Sequence, residues 1–324
     1  MVSSTGYGFD GPWANFGATG PATEGASGLA YSTGYKNGPP VMSEIPYTDY
    51  TGAEHTIFAI MAALIHRQTT GAGQFIDVSQ TETSTATIPE FLMDYFANKR
   101  VSPRNGNEHP SLSPQGCYPC MGDDRWIVIS ITNDEEWTSL CIELNNVELK
   151  SDMRFSTNEG RMKHKQEIDG LISQETLRWD NQELMKILQT AGVPAGAVLD
   201  GHELLFNEHL KSRDFYEMVP HHPTTGMPPL PYAGRPWKFS TTPQVVPKAA
   251  PIMGEHNKSI FIDLLGYDES LLEEWESEGI IGYGPTSPIS VQRPSLEEQV
   301  RQGRLQRFEP DFLNQVSDFH QGRR

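Results

Sequence analysis

The stretch Ile45–Ser79, IPYTDYTGAEHTIFAIMAALIHRQTTGAGQFIDVS, decides the fold class. From Gly52 to Arg67 the apolar residues Ile57, Met61, Leu64 and Ile65 recur at helical spacing, and Ala59, Ala62 and Ala63 leave room for a close neighbour. Thr69-Thr70-Gly71-Ala72-Gly73 ends that helix with residues suited to a left-handed turn. Gln74-Phe75-Ile76-Asp77-Val78 then reads as a short strand, and Glu82 to Asn98 as a second helix. Helix, glycine-rich turn, strand and helix in that order predict the α/β class.

Upstream, residues 1–46 are rich in Gly, Ser, Thr and Pro without a sustained helical period. Downstream, residues 99–116 are polar and loop-like, a linker or a cover over a site. A smaller α/β domain is expected over 117–218. It opens with a buried strand at Trp126–Ile131 and a helix capped by Asn133 that carries Leu140 and Leu144. Further helices are predicted at Arg161–Gln174, Asn181–Ala191 and Gly201–Tyr216, with a strand at Val193–Leu199. The proline-rich segment Val219–Pro251 predicts an extended connection. Helices near Lys258–Leu265 and Glu269–Glu278 follow, so that 219–284 returns to the large domain formed by 1–98. Residues 285–324 are expected to be a polar, loosely ordered tail.

With 25 Lys+Arg against 42 Asp+Glu, the net charge of −17 argues against nucleic acid or an anionic membrane as partner. No apolar run approaches the roughly 18 residues of a membrane helix. The opening MVSSTGYGFDGPW has neither the basic start nor the apolar run of a secretion signal, so a cytoplasmic location is expected. Three cysteines, Cys117, Cys120 and Cys141, fit a reducing compartment.

Most candidate motifs have a plain reading. Cys117-Tyr118-Pro119-Cys120 lacks the second ligand pair of a zinc site and reads as a turn with two small apolar thiols. His202, His209, His221 and His222 have no supporting ligand spacing and read as loop or capping residues, so no metal is expected. Thr69–Gly73 lacks the lysine of a phosphate loop. Asp49 is less easily dismissed. It stands just before the strongest helix, between Tyr47 and Tyr50 and ahead of small residues, where it is either an N-cap or a functional carboxylate.

Several motifs occur together: Gly11-Pro12-Trp13, Ser27-Gly28-Leu29, Asn37-Gly38-Pro39-Pro40, Tyr47–Gly52, Arg67–Ser79, Tyr118–Trp126, Gly192–Leu199, Met253–Asn257 and Leu264-Leu265-Gly266. In this order the chain resembles the class III CoA-transferase family, which includes formyl-CoA and carnitine CoA-transferases. The resemblance covers residues 1–283. It implies a partial Rossmann-like large domain, a small α/β domain and an interlocked homodimer, or assembly with a second CoA-transferase chain. It also implies further chain ahead of Met1, including much of the basic surface for CoA; Lys36 is the single basic residue before Asp49.

On the same resemblance Asp49 is the nucleophile. Tyr47 and Tyr50, which flank it, are expected to bind substrate or CoA. The family's glycine-rich loop over the active site is not evident; Ser113-Pro114-Gln115-Gly116 stands at the corresponding place, with Gln115 and Gly116 as the expected binding residues. Coenzyme A thioester is then a substrate rather than a bound cofactor, and a free carboxylic acid is the acceptor. A carboxylate is ionised at neutral pH and attacks a thioester without an auxiliary base. Backbone donors toward the tetrahedral oxyanion complete the requirement. Two alternatives remain. An α-methylacyl-CoA racemase needs a His-Asp pair where this chain has Ala18-Thr19-Gly20-Pro21, and an inactive partner subunit would need no nucleophile.

Overall fold

The computed structural model describes residues 1–242, 248–284 and 294–319, which divide into two compact units, Met1–Val198 and Leu199–Arg324. In the first unit, β1 (Val2–Thr5) leads through α1 (Gly20–Ala26) and α2 (Leu29–Ser32) to the 24-residue α3 (Tyr47–Thr70). The chain then returns in β2 (Ile76–Ser79), which pairs in parallel with β1 from Val2↔Ile76 to Thr5↔Ser79. A parallel pair requires such a helical crossover. Gly71, at φ 77°, closes α3 in the left-handed conformation and donates its N–H to the Arg67 carbonyl.

The helix expected over Glu82–Asn98 is two helices, α4 (Gln80–Thr85) and α5 (Pro89–Asn98). Pro89 has no N–H to give to a preceding turn, so it starts a helix and cannot continue one. The Ser79 hydroxyl caps α4 by accepting from the Glu82 N–H.

A three-stranded antiparallel sheet follows in the order β3 (Gln115–Pro119), β4 (Trp126–Ser130) and β5 (Ala195–Ala197). The strand at Trp126–Ser130 is buried on one face only. Ile127 and Ile129 are fully buried, while Trp126 and Val128 are exposed, as the two-residue period of a pleated strand requires.

On its inner face pack α6 (Asp134–Glu143), α7 (Val147–Ser151), α8 (Asn158–Lys163), α9 (Lys165–Thr176) and α10 (Asn181–Thr190). Their contributions to one core include Leu140, Leu149, Ile168, Ile172, Leu184 and Leu188. Asn133 and Asp180 cap α6 and α10 as Asn/Asp at helix starts do. The helix expected at Arg161–Gln174 is interrupted at His164, whose φ −113° and ψ 23° lie outside the helical region. Fully buried Arg161 donates to the carbonyls of Ser113 (2.8 Å) and Phe155 (3.1 Å), and to Asp134 Oδ1 (2.8 Å), while its guanidinium lies over the Trp137 ring.

In the second unit, the helix expected over Gly201–Tyr216 is α11 (Gly201–Phe206) and α12 (Glu208–Ser212), followed by a strand. Asn207, extended at φ −60° and ψ 123°, breaks the first helix and caps the second through its side chain. β6 (Tyr216–Val219) pairs antiparallel with β7 (Leu230–Ala233), so the proline-rich segment is partly a hairpin rather than wholly extended; its residues 243–247 lie outside the described residues. A π-helical turn at Ser259–Leu264 and α13 (Glu269–Ser277) follow, where Trp275 packs edge-on against Phe261 and Tyr267. The described part of the tail contains α14 (Leu296–Arg301) and α15 (Phe312–Phe319), with Val316 buried. Among the described residues no helix is long and apolar enough to cross a membrane.

Candidate active site

The start of α3 is fixed by buried hydroxyls. Thr48 and Thr51 are the residues on either side of the Asp49-Tyr50 pair, and both face inward. Thr48 Oγ1 meets Thr23 Oγ1 of α1 at 2.7 Å, and Thr51 Oγ1 meets Ser84 Oγ of α4 at 2.9 Å. Thr51 also lies 3.4 Å from Thr83 Oγ1. Two short hydroxyl contacts therefore lock the first turn of α3 between α1 and α4. Polar groups this buried carry a large penalty unless paired, which ties the hydroxyls to one arrangement.

With its neighbours turned inward, Asp49 is turned outward. It is the third residue of the helix, behind Pro46 at the cap position, so the N-cap reading is not what the chain adopts. Its carboxylate is exposed and sits where the helix dipole favours negative charge. Gln80 Nε2 donates to Asp49 Oδ1 at 2.8 Å. Asp49 Oδ2 takes no hydrogen bond among the described residues. Gln80 is the first residue of α4, next to the end of β2, so strand and helix together set the donor. A Cβ on Gly52 would stand 2.9 Å from Gln80 Cγ, so the glycine makes the close passage of that side chain possible.

Of the other expected site residues, Tyr47 is half-buried and Tyr50 is 61% exposed; neither bonds to the Asp49 carboxylate. Gln115 and Gly116 are not in a loop. They open β3, where Gly116 pairs with Ile129 and Gln115 Oε1 accepts from Ser130 Oγ, and no hydrogen bond links them to Asp49. Gly116 lies against the Tyr118 ring, where a Cβ would come within 2.9 Å of its end. The segment Ala18–Pro21 forms the start of α1, with Thr19 as N-cap.

Sequence reading missed Gln80, which carries no motif of its own, and the hydroxyl contacts, which join residues 25 and 33 positions apart. The one signal available was the density of Thr and Ser at 79–87, unusual for a helix.

The remaining candidates are structural. Cys117 and Cys120 lie along and just after β3 rather than in a turn, Cys120 is buried, and burial raises both thiols. His221 bonds to the Pro228 carbonyl and the Tyr232 hydroxyl across the β6–β7 hairpin, and His222 bonds to Thr224. Among the described residues no group of three or more His, Cys, Asp or Glu could hold a metal ion.

Comparison with known proteins places this geometry in context. The model of CoA-transferase family III matches residues 1–257. A succinate–glutarate CoA-transferase of Agrobacterium fabrum is 30% identical over 262 residues, 81% of this chain and 64% of that one. A succinyl-CoA–D-citramalate CoA-transferase of Chloroflexus aurantiacus is 30% identical over 281 residues, 87% of this chain and 69% of that one. The crystal structure of a CAIB/BAIF family protein from Brucella suis superposes with a TM-score of 0.71 at 27% identity, covering 81% of this chain and 67% of that chain. The chain thus spans about two thirds of the length of these relatives.

Proposed function

The chain belongs to CoA-transferase family III, and on that premise we propose that it works in acyl-CoA:carboxylate CoA transfer with Asp49 as the covalent nucleophile. The observation that carries this reading is the state of the carboxylate. It is exposed in the first turn of a long helix, one oxygen is held by Gln80, and the other is open to a substrate.

The chemistry follows from that arrangement. Oδ2 attacks the thioester carbonyl, the C–S bond breaks, and CoA leaves as a thiolate while the acyl group stays on Asp49 as a mixed anhydride. The thiolate then attacks the aspartyl carbonyl and releases the donor acid as its carboxylate, which leaves CoA on Asp49 as a thioester. An acceptor carboxylate reverses these two steps and departs as the new acyl-CoA. Each step exchanges one anionic leaving group for another, so no proton transfer is needed.

Short dicarboxylic acids are the proposed donor and acceptor class, supported by the succinate, glutarate and citramalate in the names of the two relatives. The proposal extends to assembly as an interlocked homodimer. Ile57, Phe58 and Ile65 on α3 are 62, 77 and 60% exposed, an apolar face that a second copy would cover. A reducing, cytoplasmic setting fits the three free thiols.

The test is transfer from succinyl-CoA to glutarate, read as glutaryl-CoA by chromatography. Asp49→Ala should abolish it with the fold intact, and hydroxylamine added during turnover should mark residue 49 alone. Glutaryl-CoA formation by Asp49→Ala at near wild-type rate would overturn the assignment. No transfer and no labelling in the wild type would favour a partner subunit without activity of its own.

A further inference from the structure

Two of the four steps above take place at the carbonyl carbon of Asp49 itself, when the thiolate displaces the donor acid and when the acceptor displaces the thiolate. In both, the nucleophile adds to that carbon and the C=O electron pair moves onto the oxygen that is not in the scissile bond. If Oδ2 carries the acyl group or is replaced by sulfur, that oxygen is Oδ1. Gln80 Nε2 already stands 2.8 Å from Oδ1, within the distance at which an oxyanion donor acts.

We infer that Gln80 is the oxyanion donor for the aspartyl carbonyl of Asp49, and that Gly52 is the residue whose missing Cβ lets it reach. The inference rests on Asp49 being the nucleophile. A neutral carboxamide suits the task, because it donates to the carboxylate, the anhydride and the tetrahedral oxyanion in turn without changing its own charge. A carboxylate in its place would repel the developing charge, and an apolar side chain would leave it unsolvated.

The donor is preorganised from three sides. Ser79 caps the helix that Gln80 opens, Thr83 Oγ1 donates to the Gln80 carbonyl at 2.9 Å, and the Thr51–Ser84 contact holds that helix against α3. Only the side-chain torsions are left to fix. Gly52 fixes them by admitting Gln80 Cγ into the space that a Cβ would occupy. Gly52 also lowers the helix propensity of α3 relative to alanine, a cost this passage accounts for.

The test compares wild type with Gln80→Met, Gly52→Ala and Asp49→Ala in transfer from succinyl-CoA to glutarate. Gln80→Met keeps the length of the side chain and removes the donor. It should lower kcat by about 10²- to 10³-fold, the usual effect of deleting one oxyanion donor, with KM for succinyl-CoA nearly unchanged. Gly52→Ala should reproduce that loss by displacing Gln80. If Asp49→Ala is inactive and Gln80→Met retains wild-type kcat, the role of Gln80 is refuted while the nucleophile stands; if Asp49→Ala is active, both fall.

A second readout needs no turnover. A water-soluble carbodiimide activates the free oxygen of a carboxylate, and glycine ethyl ester then attacks the aspartyl carbonyl and expels the urea. Peptide mass spectrometry should show residue 49 labelled faster in the wild type than in Gln80→Met, with Asp10 labelled equally in both. Equal labelling of residue 49 in the two proteins would overturn the proposal.

Discussion

Thr23 Oγ1 and Thr48 Oγ1 lie 2.7 Å apart with both side chains almost fully buried, which places the residue before Asp49 under tertiary control from α1. Thr23 also bonds to the carbonyls of Thr19 and Gly20, so this pair links one helix start to another. Thr48→Val keeps the branched shape and strips the hydroxyl. Urea denaturation should show a loss of about 1–2 kcal/mol, with most of it recovered in Thr48→Ser. A Thr48→Val protein as stable as the wild type would mean that packing alone sets the helix start.

Arg161 is the largest fully buried side chain among the described residues and donates to the carbonyls of Ser113 and Phe155. Its ion-pair partner Asp134 has a side chain 58% exposed, so water screens that part of the interaction. Arg161→Met should therefore destabilise by about 2–4 kcal/mol through the stranded carbonyls, whereas Asp134→Asn should change little. The two denaturation midpoints, measured side by side, separate these contributions.

Burial pushes the Cys141 thiol up to about 12 and the Cys120 thiol up to about 11, against 9.0 for a free thiol. The folded chain then holds protons that the unfolded chain releases, so this stability is complete below pH 9 and is lost as pH rises toward 12. Thermal midpoints should fall through that window, and less steeply in Cys141→Ala, whatever its stability at neutral pH. Parallel slopes for the two proteins would show that Cys141 does not contribute.

The apolar face of α3 predicts a dimer at micromolar concentration by light scattering, at twice the chain mass. Phe58, 77% exposed, is the most accessible large residue on that face, and Phe58→Glu should shift the population to monomer. A wild-type monomer would remove the basis for the homodimer.

The α/β class was legible in Ile45–Ser79 because a single helix of 24 residues, a left-handed glycine and a strand each announce themselves within a few residues. Caps at Asn133 and Asp180 were equally local. Other helix boundaries are set by single residues within helix-compatible runs: Pro89 starts α5, while His164 and Asn207 stand at the junctions α8–α9 and α11–α12 with non-helical backbone angles.

For the site, the sequence singles out Asp49 as the candidate, since a carboxylate ahead of a strong helix within an ordered set of motifs is a property of neighbours in the chain. It could not determine whether that carboxylate caps the helix or faces outward, because the answer depends on Thr23 and Ser84, which draw Thr48 and Thr51 inward. Nor could it find Gln80, whose amide reaches Asp49 across 31 residues only because β2 returns alongside β1 and Gly52 leaves the way open. A hydrogen bond acts over about 3 Å, and which distant residues come within that reach is decided by the tertiary fold.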